Sequence, residues 1–260
     1  MKLKANQYYK LATPSGWDFY TGKTINYRDS IGRVVRVPDG KGKLELCTAT
    51  VLHASKNPND CFIGARIPCS AFVVEGRPVV HDKMKAGFKS LKVVKEIKDL
   101  DGLFGWRYSE AINPIHPLQI KPSKVIYEHV RLLREWASVW DSVRDSVGDS
   151  VEASVRDSVW DSVRVSVWAS VGGSIWDSAM SSVKASASDS VWAYIGYVFA
   201  PAVKKWKYVE HKRGEYPFQS AVDLWKQGLV PSYDRKVWRL HAGPDARIVL
   251  EISGEELRKP

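Results

Sequence analysis

The chain has 260 residues, of which 44% are hydrophobic and 26% charged, and its formal net charge is +10. Such values suit one or two compact domains able to bury a core, and they exclude a collagen-like or wholly disordered chain. No run of 18 apolar residues occurs, so no membrane-spanning helix is expected. The opening Met1-Lys2-Leu3-Lys4-Ala5-Asn6-Gln7-Tyr8 lacks the apolar stretch of a secretory signal.

Charge is unevenly placed. Residues 1–136 hold 23 Lys and Arg against 13 Asp and Glu, residues 137–200 hold 4 against 8, and residues 201–260 hold 12 against 8. An acidic centre between basic ends favours attraction within or between chains as readily as attraction to nucleic acid. The three cysteines, Cys47, Cys61 and Cys69, have no zinc-site spacing and no signal peptide precedes them. They read as reduced, small core residues of a cytoplasmic protein.

An α+β fold in three zones is expected, and residues 1–124 form its β-rich N-terminal domain. Strand-like runs appear at 34–37, 44–51, 71–80 and 91–97, separated by turn residues such as Pro38-Asp39-Gly40 and Asn57-Pro58-Asn59-Asp60. Glu75-Gly76 breaks the third run as a turn or bulge. Three prolines between 113 and 122 make that stretch a stiff linker.

Residues 125–200 are the repeat segment. From Ser138 to Ser190 a serine recurs at every fourth position, fourteen times without slippage, followed by Val in eleven units. In an α-helix four residues turn about 400°, so each stripe drifts about 40° per unit. In a β-solenoid every tetrad would occupy an equivalent place, and a third alternative is disordered low complexity. Helix is the leading expectation, because the upstream flank spaces Ile126, Val130, Leu133 and Ala137 helically and no proline lies between Pro122 and Pro201. An unbroken helix of about 70 residues would reach ~105 Å. Gly172-Gly173 would be the place to fold it into a hairpin.

Residues 201–260 read as a small αββ module: a helix across Phe218–Gln227 stopped by Gly228, a turn at 230–234, and strand-like runs at 237–241 and 247–252. Forty-five such residues are too few to fold alone, so the module should pack on the first zone or on another chain.

No residue pattern specifies a catalyst. The six histidines have no metal-hydrolase spacing, and neither a P-loop, a dinucleotide-binding glycine run nor a nucleophile elbow occurs. Metal and cofactor sites are therefore not expected. The stretch Val51-Leu52-His53-Ala54-Ser55 to Cys61-Phe62, followed by Ser70-Ala71-Phe72-Val73-Val74-Glu75-Gly76, resembles a pattern of ADP-ribosyltransferase-like folds. Val51 stands where that pattern has glycine, and His53-Ala54-Ser55 replaces its aromatic-x-threonine run. The resemblance implies that His53 sits over a nicotinamide dinucleotide and that Glu75 is the nearest acid.

A second resemblance covers most of the chain. Gly22-Lys23, Leu46-Cys47, Leu52-His53-Ala54-Ser55, Phe72-Val73-Val74-Glu75-Gly76 and Val79-Val80-His81-Asp82, with the Trp-Asp-Ser-Val repeats and Leu224-Trp225, resemble an uncharacterised family of phage and prophage proteins. It implies a mobile-element setting and no activity.

The leading functional expectation is a non-enzymatic interaction or scaffold protein that self-associates or binds a protein partner through Trp140, Trp160, Trp168, Trp176 and Trp192. Five large aromatics are too many for an idle solvated face. They should bury against a partner helix, the same chain folded back, or another subunit. The alternatives are an ADP-ribosyltransferase-like enzyme or NAD-binding module in residues 1–124, and a basic nucleic-acid-binding protein using Lys204, Lys205, Lys207, Lys212 and Arg213.

Overall fold

A computed structural model describes residues 3–38, 42–121, 124–143, 146–159, 168–173, 175 and 187–259. Helices and antiparallel sheets are both present, as an α+β chain requires. The chain divides into two compact units: residues 1–105, with 161–168 grouped to them, and residues 106–160 with 169–260. This differs from the three zones drawn on the sequence. Residues 106–121 belong with the helical unit, because Trp106 packs on Phe199 and the Arg107 N–H donates to Val198 O at 2.9 Å.

The N-terminal unit is built on two sheets. Strands β1 (Gln7–Ala12), β2 (Val34–Arg36), β4 (Ser70–Glu75) and β7 (Ser90–Ile97) form one sheet in the order β1-β4-β7-β2. Strands β3 (Leu52–Ala54), β5 (Val80–His81) and β6 (Ala86–Phe88) form the other, with β6 central. Tyr8 and Ala12 of β1, Phe72 and Val74 of β4, Leu91 and Val93 of β7, and Leu52, Ala54, Ala86 and Phe88 of the second sheet share one buried cluster. Gly87 of β6 is required by this packing, since a Cβ there would lie 2.8 Å from side-chain atoms of Val51 and Val80.

Two strand expectations are corrected. Residues 44–51 do not form a strand, because side chains such as Thr48 and Thr50 satisfy their backbone locally. Thr48 Oγ1 donates to Glu45 O, and Thr50 Oγ1 donates to Lys43 O. Strand β1 carries no clear alternation in Gln-Tyr-Tyr-Lys-Leu-Ala, and it pairs along its whole length with β4, from Gln7 opposite Glu75 to Ala12 opposite Ser70. Glu75-Gly76 ends β4. Helix α1 (Leu100–Phe104) closes the unit, capped by the Asp99 carboxylate on the Gly102 N–H.

The helical unit contains α2 (Tyr108–Ile112), α3 (Tyr127–Ser142), α4 (Val147–Val159), α5 (Ser188–Phe199), α6 (Gln219–Lys226), strands β8 (Val230–Tyr233), β9 (Val237–Ala242) and β10 (Arg247–Ser253), and α7 (Gly254–Leu257). Among the described residues of the repeat none lies in a strand, and residues 168–173 are helical as well. The single continuous rod is corrected: α3 stops at Ser142, and Val143 is extended at ψ 126°. Gly172 and Gly173 are both helical, and the residues that would complete a hairpin after them lie outside the described residues.

The drift of the four-residue period explains these lengths. In α4 the Ser-Val pairs face inward, with Val147, Val151, Val155, Ser150 and Ser154 all buried, while Asp149, Arg156 and Asp157 are exposed. Ser146 and Ser158, at the two ends, are only half-buried. Three steps of about 40° use up an inward arc of roughly 100°, so a straight helix can bury only three or four tetrads.

Residues 230–234 are not a turn. Val230–Tyr233 is an edge strand paired with β9, a position where Pro231 forfeits no interior hydrogen bond. The 113–122 stretch is not a bare linker either: it makes a 3-10 turn over Pro117–Gln119 that buries Pro117 and Leu118. The C-terminal segment packs on the repeat helices, through Trp136 on Phe218, Tyr194 on Trp225 at 4.9 Å, and the Arg258–Asp141 ion pair at 2.8 Å.

Candidate functional site

The N-terminal unit contains a cleft of about 370 Å³ lined by Lys10, Tyr20, Cys47, His53, Asp60 and Lys85 among others. An inner cavity of about 230 Å³ shares Lys10, Tyr20 and His53 with it and adds Asp18, Thr21 and Tyr27. Together they fall in the size range of small-molecule sites.

Lys10 is the residue that makes this cleft unusual. Alternation along β1 puts it on the same face as Tyr8 and Ala12, which belong to the core cluster, and opposite Phe72 in the register. A lysine therefore occupies an inward position of the sheet. Among the described residues its ammonium makes neither a hydrogen bond nor a salt bridge; its nearest ring is Tyr27, 5.3 Å from the centroid. Burial pushes its pKa down, and the neighbouring Cys61 and Asp18 only partly offset that.

The surrounding groups are fixed by local bonds. Asp18 is buried and accepts from the Thr21 N–H at 2.8 Å, the Thr21 hydroxyl at 2.9 Å, and the N–H groups of Thr24 and Ile25. Burial alone would raise its pKa, but these donors outweigh it and hold the carboxyl below its ordinary value. The loop they close carries Tyr20, 75% exposed although it lines both cavities.

His53, on β3, accepts the Cys47 N–H on Nε2 at 2.9 Å. Its proton therefore sits on Nδ1, for which no described residue is an acceptor. Burial, then the charges of Lys10 and Lys85, push its pKa down to about 4, so it is neutral at pH 7. Cys47 holds a left-handed backbone at φ 63°, rare outside glycine, and Lys85 Nζ lies against its Sγ. Cys61 Sγ donates to Tyr9 O at 3.2 Å, and burial raises its thiol to about 11. The reading of three core cysteines is corrected for Cys47, which is exposed; only Cys69 is fully buried.

Of the residues singled out on the sequence, His53 lines the cleft and Glu75 does not. Glu75 lies at the end of β4, accepting from Gln7 Nε2 at 2.8 Å, so no histidine–acid pair forms there. Trp140 packs on Tyr233 and Trp238 and donates from Nε1 to Asp189 at 2.8 Å, and Trp192 covers Gly148, where a Cβ would sit 2.9 Å from its Nε1. Both are covered by the same chain folded back. Trp168 is half-buried, and Trp160 and Trp176 lie outside the described residues.

The basic stretch is mostly exposed but carries acidic neighbours. Lys204, Lys205, Lys212 and Arg213 are exposed, Lys207 pairs with Asp157, and Glu210 and Glu215 stand exposed among them. Trp206 is buried on Tyr216 at 4.9 Å, so the aromatic of that stretch is not presented for base stacking.

Lys10, Lys85, Tyr20 and Asp60 were not singled out on the sequence. Only Lys10 leaves a trace there, as a lone cation inside the Tyr-Tyr-Lys-Leu-Ala run. A second nucleophile–base pair, Ser232 Oγ and His241 Nε2 at 2.8 Å, is sealed in the β8–β9 hairpin, where Ser232 is buried. No family model, curated protein or solved structure matches the chain, and the site is therefore read from its own geometry.

Proposed function

We propose that the N-terminal unit is a binding module for a small anionic molecule bearing a phosphate or carboxylate, with nicotinamide dinucleotides among the candidate ligands. The observation that carries this reading is the inward Lys10 ammonium, which among the described residues has no hydrogen bond or salt bridge and faces only the Tyr27 ring and the charges of Cys61 and Asp18. Lys10 is half-buried; partial desolvation of a charge with no hydrogen-bonded counter-ion is unfavourable, and an anion in the cleft would relieve that cost. Lys85 adds a second cation and His53 an N–H donor, while Asp60 on the same wall suits a ligand hydroxyl.

Binding is favoured over catalysis at His53. Its Nε2 lone pair is occupied by the Cys47 N–H, and a base of pKa about 4 takes protons poorly at pH 7. Isothermal titration of the full chain with inorganic pyrophosphate and with NAD tests the reading. Saturable one-site binding to at least one of them, weakened tenfold or more by Lys10→Met and unaltered by Glu75→Gln, is expected. Absence of saturable heat with both overturns it.

A further inference from the structure

We propose that Lys10 is a carbonyl-reactive amine, which forms an imine inside the cleft with a small aldehyde or ketone that also carries an anionic group. This rests on the anion-binding reading for the choice of substrate, but its chemistry stands on separate features. Lys10 is half-buried on the core face of β1 between Tyr8 and Ala12, opposite Phe72, and the desolvation there disfavours the ammonium relative to the free amine. No carboxylate is hydrogen-bonded to it among the described residues, so none pins the proton on Nζ. Lys85 lines the same cleft, while Cys61 and Asp18 oppose the effect of burial on Lys10 only in part. The downward displacement of the Lys10 pKa by burial agrees with this environment.

The cleft is also open enough for the reaction. Lys10 lines both the 370 Å³ cleft and the 230 Å³ inner cavity, so a carbonyl carbon can approach Nζ while the rest of the molecule occupies either space. The anionic group would be met by Lys85, and the buried hydroxyl of Tyr27, which has no hydrogen-bond partner among the described residues, lies in the wall of the inner cavity. In the step itself the Lys10 nitrogen lone pair forms a C–N bond as the carbonyl π pair moves to oxygen. Nitrogen loses a proton to solvent in the cleft and oxygen gains one, giving a carbinolamine. The C–O bond then breaks, the hydroxyl leaves as water with a second proton from solvent, and nitrogen loses its remaining proton. The balance is amine plus carbonyl to imine plus one water, with no oxidant or reductant.

The test uses the full chain and two aldehydes, pyridoxal 5′-phosphate as an anionic probe and propanal as an uncharged one, each trapped with cyanoborohydride at substoichiometric labelling. Peptide mapping then ranks the lysines. Lys10 is expected to be the first site labelled by both, at least tenfold ahead of the exposed lysines. Pyrophosphate is expected to compete for the anionic probe more strongly than for propanal. Labelling spread over exposed lysines with both aldehydes, while pyrophosphate or NAD still binds, overturns the imine proposal and leaves the binding module intact. Preferential labelling of Lys10 by propanal, without saturable anion binding, overturns the binding reading and retains the reactive amine.

Discussion

The two units solve the problem of burial in opposite ways. The helical unit packs its interior with aromatic pairs: Tyr194 stacks on Trp225, Tyr233 stacks on Trp238 at 4.3 Å, and Trp206 meets Tyr216 edge to face. The N-terminal unit leaves about 370 Å³ and 230 Å³ open beside its core, and puts a lysine where its sheet pattern calls for an apolar side chain. Interiors normally reach the packing density of organic crystals. One unit packed with aromatic pairs and one with a cation-bearing cleft separate a region organised for stability from a region organised for a ligand.

That contrast is broken most severely by emptying the filled core. Trp225 is fully buried and stacked on Tyr194, so Trp225→Ala should destabilise the helical unit by about 3–5 kcal/mol, measured by denaturant unfolding. Next comes the repeat, where one sequence position should have two different costs. The Ser154 hydroxyl oxygen accepts the Lys207 N–H at 2.8 Å inside the core, and Ser154→Ala should cost about 1–3 kcal/mol. Ser158→Ala, at the edge of the buried arc with a 3.4 Å contact, should fall within about 0.5 kcal/mol of wild type. Equal costs would remove the account of the four-residue drift.

A third variant reverses the sign. If the N-terminal unit retains Lys10 for a ligand, Lys10→Met should leave the ligand-free protein unchanged or stabilise it by about 1 kcal/mol while it loses anion binding. A loss of stability of several kcal/mol would instead make Lys10 a structural residue.

The smallest effect is with pH. The His53 pKa is depressed in the folded state, so its contribution is fully present above about pH 6.5 and is lost as pH falls toward about 4. For a partly solvated ring this is on the order of 1 kcal/mol after screening. His241 in the helical unit is depressed in the same direction, so His53→Gln should reduce the acid slope of thermal unfolding without abolishing it.

What could be read from the residues follows the same divide. The helical character of the described repeat residues was legible because their upstream flank spaces Ile126, Val130, Leu133 and Ala137 helically and no proline interrupts the segment. The break at Val143 was implicit in the 40° drift, but its position depends on what the helix packs against, here Tyr233 and Trp238 beneath Trp140. In the N-terminal unit β1 escaped notice because Tyr-Tyr-Lys-Leu-Ala does not alternate cleanly, and its partners on β4 are far along the chain, Ser70 for Ala12 and Glu75 for Gln7. His53 was legible as a candidate, whereas its neighbours Lys10 and Lys85 come from separate strands and loops that only tertiary packing brings to one cleft.

The most direct test observes the Lys10 amine itself. Nuclear magnetic resonance of the full chain with labelled lysine side chains would follow each Nζ through its titration, with and without inorganic pyrophosphate. The account predicts that Lys10 titrates below the exposed lysines in the free protein and that pyrophosphate raises its pKa as the anion pairs with the ammonium. A Lys10 resonance that titrates with the exposed lysines and does not respond to pyrophosphate would contradict it.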